Sequence, residues 1–120
     1  MMAKKNILIL VNAAPYGSER SFSALRIAAT LTQHDDKPNV CLFFMSDSVG
    51  IAVSSQNTAE KQTHELLLKE IIANDGKILL CKTCVSARGL QNINWVEGVG
   101  IGTLDDLARW TLSADSTLCF

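Results

Sequence analysis

Short runs of apolar residues along the chain predict β-strands. They lie at residues 6–11, 40–45, 78–80 and 117–120, and a weaker run lies at residues 99–101. The runs are continuous and do not alternate with polar residues. Such runs are typical of strands that are covered on both faces, as in a parallel sheet. The pattern therefore predicts five buried strands.

Segments with the period of an amphipathic helix lie between these runs. We expect Ser18 to cap a first helix that ends before residues 34–38, and a second helix over residues 60–73 that stops at residues 74–76. The side chains predicted to face inward are Phe22, Leu25, Ala28 and Ala29 on the first helix and Leu67, Leu68, Ile71 and Ile72 on the second.

Two further helices are predicted in the second half of the chain. A short one spans residues 83–88 and ends at Gly89, and another begins with a capping box from Thr103 to Asp106. The side chains expected to face inward on the last helix are Leu104, Leu107, Ala108 and Thr111.

Alternation of strands and helices with short links predicts a single α/β domain over residues 1–120. It is doubly wound, with a mainly parallel five-stranded sheet, right-handed crossovers and helices on both faces. Residues 46–58 are the exception to short links. Their apolar side chains, Val49, Ile51 and Val53, suggest a subunit contact, and a mobile active-site lid fits the same pattern.

Composition narrows the classes of function. The 120 residues are 48% apolar and 19% charged, with 11 basic against 12 acidic side chains, so the net charge of -1 gives no field to attract nucleic acid or anionic lipid. The apolar runs fall short of the roughly 20 residues that cross a bilayer. No export signal is recognisable, and we expect a cytosolic protein without direct nucleic-acid or membrane contact whose four cysteines are not structural disulfides.

Candidate chemistry centres on Cys81 and Cys84, a Cys-x-x-Cys where the third strand ends and a helix starts. A helix amino terminus and the positive charges of Lys82 and Arg88 favour the thiolate, which is the reactive form of cysteine. Sulfur or redox chemistry and a pair of buried small hydrophobes both remain open on this pattern.

Other arrangements are less favoured. Zinc would need two more ligands, but Cys41 and Cys119 lie in apolar runs expected to be core, and His34 and His64 stand alone. Residues 12–18 hold one glycine, too few for a dinucleotide or phosphate loop, and no cofactor is expected. This loop is either a simple turn or a lip over a neighbouring site, with Tyr16 as its wall.

Several stretches resemble the DsrE/DsrF-like family of small sulfur-relay proteins. They occur in the family's order at residues 13–19, 44–47, 80–84 with 87–89, 102–104 and 110–115. The resemblance implies doubly wound subunits that assemble into oligomers, as homohexamers in the branch this chain matches best. Relatives accept sulfur as a persulfide on one cysteine and pass it on for tRNA thiolation.

In the resemblance, the persulfide cysteine corresponds to Cys81, and Cys84 is similar to a second cysteine of other Cys-x-x-Cys members. The chain departs from its relatives at Gly100, where they carry glutamate, so acid–base help from that carboxylate does not carry over.

The combined hypothesis is a sulfur-transfer or sulfur-carrier protein that works with donor and acceptor proteins. Cys81 would take a persulfide and Cys84 would resolve it; the surrounding residues predicted to bind the sulfur substrate are Lys82, Thr83, Arg88 and Tyr16. The alternatives are a thiol–disulfide oxidoreductase using the same pair and a non-catalytic oligomeric binding module. The hypothesis requires that Cys81 be open to incoming reagents.

Overall fold

Five parallel strands form the sheet that the apolar runs predict. The computed structural model describes residues 4–57 and 63–120. Its strands are β1 (Asn6–Val11), β2 (Asn39–Phe44), β3 (Lys77–Cys81), β4 (Gly100–Gly102) and β5 (Ser116–Cys119). The spatial order is β4-β3-β2-β1-β5 and each neighbouring pair is parallel, which confirms the predicted fold class.

Helices lie on both faces of this sheet. They are α1 (Arg20–Thr32), α2 (His64–Ala73), α3 (Lys82–Ala87) and α4 (Leu104–Ser113), with a 3₁₀ segment at Ser46–Ala52. In the described part of the chain, none of the helices combines the length and apolarity needed to span a membrane.

Alternate residues of β1, β2 and β3 supply two separate cores. The larger core lies under α1 and α2 and includes Ile9, Val11, Leu42, Phe44, Ile78 and Leu80. The smaller core lies under α4 and is built from Leu8, Phe43 and Cys81, with Leu10, Cys41 and Leu79 packed against it. Cys81 therefore belongs to the face of the sheet that α4 covers.

The chain leaves β3 and β4 toward opposite faces of the sheet. Val85 of α3 packs in the core under α1 and α2, whereas Trp110 of α4 packs on the other face, edge-on to Phe43. Ligand crevices of open α/β sheets form where neighbouring strands diverge in this way. At the ends of these two strands, Cys81 of β3 pairs in register with Gly102 of β4.

The helix boundaries differ from the prediction at two amino termini. α1 begins at Arg20, and its N-cap is Glu19 rather than the predicted Ser18. Ser18 lies one residue before the N-cap, and its hydroxyl oxygen accepts the Arg20 N–H at 3.3 Å. The described part of the second helix begins at His64, capped by the Thr63 hydroxyl. The predicted start at residues 60–62 lies outside the described residues.

The inward side of α4 was predicted incorrectly. Leu104 is 57% exposed, and Ala108 and Thr111 are also exposed, while Leu107 and Trp110 make the contacts with the sheet. The predicted capping box between Thr103 and Asp106 is present. Helical periodicity assigns apolar residues to the core, but large apolar side chains of α4 lie on its outer side.

The prediction for residues 46–58 was also wrong over the described part, which ends at residue 57. Val49 and Ile51 are fully buried in the protein's own core rather than offered to a partner. The buried Ser48 hydroxyl lies 2.6 Å from the carbonyl oxygens of both Val11 and Met45 and fastens the 3₁₀ segment to the ends of β1 and β2. A segment packed in this way is not a mobile lid.

Candidate functional site

The two cysteines of the Cys-x-x-Cys lie together at the carboxyl end of β3. Cys81 is the last residue of β3 and the N-cap of α3, and Cys84 lies in the first turn of that helix. Residues three apart at a helix start share one side, which places the two thiols beside each other. Both cysteines are free thiols.

Cys81 is closed off from solvent in the single chain. The residue is only 2% exposed and packs in a core cluster with Leu8 and Phe43. Its Sγ lies 3.2 Å from the hydroxyl of Thr83, which is itself exposed. The thiol is thus buried but polar on one side, and the expectation that Cys81 is open to reagents is not met in the single chain.

The surroundings of Cys81 nevertheless favour its ionised form. Burial acts to raise the pKa of Cys81, but the polar groups beside its Sγ outweigh it: first the hydrogen-bonded Thr83 hydroxyl, then the Cys84 thiol and the N–H groups at the start of α3. The net effect lowers the pKa of Cys81 below the ordinary thiol value. Cys81 is therefore the thiol of the pair that is prepared to act as a nucleophile.

Cys84 has the opposite tendency. Burial, and then the neighbouring Cys81 thiol, raise the pKa of Cys84, although a hydrogen bond from the Ser46 backbone and the charge of Arg88 act against them. The Ser46 N–H lies 3.2 Å from the Cys84 Sγ. Of the two thiols, Cys84 therefore ionises less readily, and it is half-buried and more accessible than Cys81.

Ser46 is a site residue that the sequence reasoning missed. Its φ of 57° is in the left-handed region, which costs a non-glycine residue about 1–2 kcal/mol. In this conformation the Ser46 N–H donates to the Cys84 Sγ, and the Ser46 hydroxyl lies 3.3 Å from Asn12 Oδ1. The available signal was that Asn12 and Ser46 both follow strands whose carboxyl ends meet at one edge.

Arg88 is held beside Cys84 rather than Cys81. Its guanidinium pairs with Asp47 at 2.9 Å and donates to the Cys84 carbonyl at 3.1 Å. Lys82 is exposed, and neither cation is among the groups that lower the pKa of Cys81. The hydrogen bonds around Cys81, and not the two cations, account for the tendency of Cys81 to ionise.

Tyr16 lies on the loop after β1 and points toward the start of α2. Its hydroxyl donates to Gln56 Oε1 at 2.6 Å, and its ring meets the His64 ring edge-on, with centroids 5.8 Å apart. The ring is 53% exposed, and in the described part of the chain its hydroxyl makes no hydrogen bond with the cysteine pair. The structure links this loop to the pair through Asn12 instead.

The other two cysteines lie apart from the site. Cys119 is exposed at the end of β5, so its predicted place in the core was wrong. β5 is three strands from β3, about 14 Å at the usual spacing of strands. Cys41 is half-buried, and burial raises the pKa of its thiol. Within residues 4–57 and 63–120, no three potential metal ligands come together.

Known proteins similar to this chain share its whole length. The Escherichia coli protein YchN is 40% identical over 97% of this chain and 99% of its own, and its crystal structure superposes with a TM-score of 0.92. An uncharacterized protein of Methanopyrus kandleri is 32% identical over 95% of this chain and 93% of its own.

A more distant structure shares the fold. A protein of unknown function from Methanobacterium thermoautotrophicum is 10% identical, with a TM-score of 0.72 over 98% of this chain and all of its own. The family model of the DsrE/DsrF-like family matches residues 5–120. With these sequence relatives, this match shows that the chain belongs to the DsrE/DsrF-like family.

Proposed function

We propose that the protein is a cytosolic, oligomeric sulfur carrier that accepts sulfur as a persulfide on Cys81. The observation that carries the proposal is the asymmetric thiol pair at the end of β3, in which the Thr83 hydroxyl and its polar neighbours lower the pKa of Cys81 while burial raises the pKa of Cys84. Membership of the DsrE/DsrF-like family supports the same chemistry.

Sulfur uptake is a transfer between thiols. A thiolate of the pair attacks the outer sulfur of a donor persulfide, a new S–S bond forms at the attacking cysteine, and the donor's S–S bond breaks. The donor leaves as a thiolate and takes up a proton, and the sulfur is held on Cys81. The Thr83 hydroxyl, 3.2 Å from the Cys81 Sγ, stabilises Cys81 as a thiolate, and Lys82 on the exposed side of the helix start attracts an anionic donor.

Two routes release the sulfur. A thiolate on an acceptor protein can attack the outer sulfur, which restores the Cys81 thiolate. Alternatively, the Cys84 thiolate attacks the Cys81 Sγ, so that sulfide leaves and a Cys81–Cys84 disulfide forms, which a dithiol reductant then reopens. The Ser46 N–H and Arg88 stabilise Cys84 as that thiolate.

Exposed apolar side chains support self-assembly. Leu104 is 57% exposed and Leu112 87% exposed on the outside of α4, and Leu118 lies on the edge strand β5. An outer surface with several large apolar side chains is typical of proteins that associate. We propose that copies of the chain associate through α4 and β5, and family resemblance points to a hexamer.

The decisive experiment is intact mass spectrometry after exposure to a low-molecular-weight persulfide, in a Cys119→Ser background that removes the exposed cysteine. The parent chain should gain the mass of one sulfur atom. A matched Cys81→Ser/Cys84→Ser double variant should gain none. Equal gain by both chains, or no gain by the parent, contradicts the proposal.

The second candidate is a thiol–disulfide oxidoreductase. It is favoured by the placement of the two cysteines side by side at the end of β3 and the first turn of α3, because a disulfide needs neighbouring cysteines. Its signature would be a reversible Cys81–Cys84 disulfide with a defined reduction potential and turnover of a protein disulfide substrate. Absence of turnover, together with persulfide uptake, separates the carrier from this alternative.

The third candidate is a non-catalytic binding module with inert cysteines, which is favoured by the burial of Cys81. In that case both cysteines of the pair would react with an alkylating reagent only on unfolding. Alkylation of either one in the native protein, at a rate well above that of global unfolding, excludes this alternative.

A further inference from the structure

We propose that sulfur enters at Cys84 and is then passed inward to Cys81. The inference rests on the proposed function and deepens it, because it assigns the two thiols to consecutive steps. Its basis is the different accessibility of two neighbouring thiols that have different hydrogen-bond partners, the Thr83 hydroxyl at Cys81 and the Ser46 N–H at Cys84.

Accessibility places Cys84 first. A donor persulfide must bring its outer sulfur into contact with the sulfur that attacks it, but Cys81 is 2% exposed and packed against Leu8 and Phe43. Cys84 is half-buried and lies beside the exposed Arg88. Direct attack by Cys81 would need the cluster under α4 to open further than attack by Cys84, which is only partly buried against it.

The neighbouring Cys81 thiolate provides the base for the first step. It takes the proton of the Cys84 thiol, and the resulting Cys84 thiolate attacks the outer sulfur of the donor, so that a new S–S bond forms at Cys84. The donor's S–S bond breaks, its thiolate leaves and takes up a proton, and Cys81 gives up its own. The Ser46 N–H, 3.2 Å from the Cys84 Sγ, stabilises the attacking thiolate.

The second step moves the sulfur inward. Cys81, a thiolate again, attacks the outer sulfur of the Cys84 persulfide, the Cys84–sulfur bond breaks, and Cys84 leaves as a thiolate. The Cys84 thiolate then takes the proton of the new Cys81 persulfide. The Ser46 N–H stabilises Cys84 as the leaving group, so one backbone group serves both steps. The product lies on the covered thiol, where water and stray thiols have least access.

The sequence offers a way to assign the sulfur. Trypsin cleaves after lysine and arginine, so cutting at Lys77, Lys82 and Arg88 puts Cys81 on the peptide of residues 78–82 and Cys84 on that of residues 83–88. The experiment exposes the Cys119→Ser chain to a low-molecular-weight persulfide, stops the reaction with an alkylating reagent at successive times, and follows the extra sulfur on each peptide.

Two single variants in the same background complete the test. Cys81→Ser should accumulate sulfur on Cys84. Cys84→Ser should load Cys81 more slowly than the parent by about tenfold or more, because an opening of the structure must precede each direct attack. In Cys84→Ser, the serine hydroxyl can still donate a hydrogen bond to Cys81. If this variant still loads more slowly at a pH where Cys81 is ionised, the deficit comes from the limited access of the donor to Cys81 and not from a changed pKa of Cys81.

The outcomes distinguish the two proposals. Sulfur on Cys84 before Cys81 in the parent chain, with slow loading of Cys84→Ser, supports the inward relay. Loading of Cys81 at the parental rate in Cys84→Ser overturns the relay and leaves the proposed function standing. If the parent chain takes up no sulfur on either peptide, the proposed function itself fails. If the sulfur stays on Cys84, both proposals are contradicted.

Discussion

Replacing Thr83 by valine tests what makes Cys81 a thiolate. Valine has nearly the shape of threonine but lacks the hydroxyl that lies 3.2 Å from the Cys81 Sγ. Hydrogen bonds to charged groups contribute about 1.5–3 kcal/mol. Because Thr83 is exposed and water can take part of its place, we use the lower limit.

The expected effect is a higher pKa of Cys81 and a smaller population of its thiolate. Since about 1.4 kcal/mol corresponds to a factor of ten in an equilibrium constant, the ratio of thiolate to thiol at a fixed pH below that pKa should fall by about tenfold in Thr83→Val. Thr83→Ser keeps the hydroxyl and is the matched control, with a titration close to that of the parent.

The assay is the ultraviolet absorbance of the thiolate as a function of pH. Each chain is compared with the same chain carrying Cys81→Ser, so that the difference reports Cys81 alone. Urea unfolding verifies that the variants are equally folded. If Thr83→Val and Thr83→Ser titrate at the same pH, the hydroxyl does not stabilise the thiolate and the reasoning is refuted.

Three further predictions concern stability and assembly. Gly76→Ala should lower the free energy of unfolding by about 1–3 kcal/mol in urea titrations, because the added Cβ would lie 2.4 Å from Ile71 Cγ2. The control Gly50→Ala should change the free energy of unfolding little, because its Cβ would make only ordinary contacts. Equal effects of the two substitutions would contradict this account. Leu112→Lys should reduce the assembly's mass in light scattering if α4 forms an interface, whereas an unchanged mass would exclude that residue from it. Burial lowers the pKa of His64 below 6.5 in the folded chain, so its contribution to stability is present above pH 6.5 and lost as the pH falls through the folded pKa. His64→Gln should therefore lose less stability on acidification than the parent, and parallel pH profiles would refute this.

Much of the fold could be predicted because it depends on local patterns. Continuous apolar runs located the strands to within one or two residues, since such runs are typical of sheet strands. The expected burial on both faces was wrong for β5, whose four residues are all exposed. The capping box at Thr103 fixed the start of α4. The inner face of α4 could not be predicted, because Leu104 and Leu112 are apolar yet lie outside, and periodicity does not distinguish a core from an interface.

The candidate site could be located but not described from the sequence. The strand end at Cys81 and the helix after it were enough to place the pair. The burial of Cys81 depends on packing against residues of other strands that are distant in the sequence. The hydrogen-bond donor to Cys84 is the backbone N–H of Ser46, and the type of a side chain does not indicate where its backbone N–H will point. Arg88 was expected near the reactive sulfur, but its pairing with Asp47 depends on the 3₁₀ segment 41 residues earlier.

The central claim is that Cys81 holds the transferred sulfur, and the most direct measurement is the mass of the peptide of residues 78–82. The wild-type chain is loaded to completion with a persulfide donor, alkylated and digested with trypsin. We expect the extra sulfur on this peptide, in a stoichiometry close to one per chain. Extra sulfur confined to the peptides that carry Cys84, Cys41 or Cys119, or found on none of them, would contradict the account.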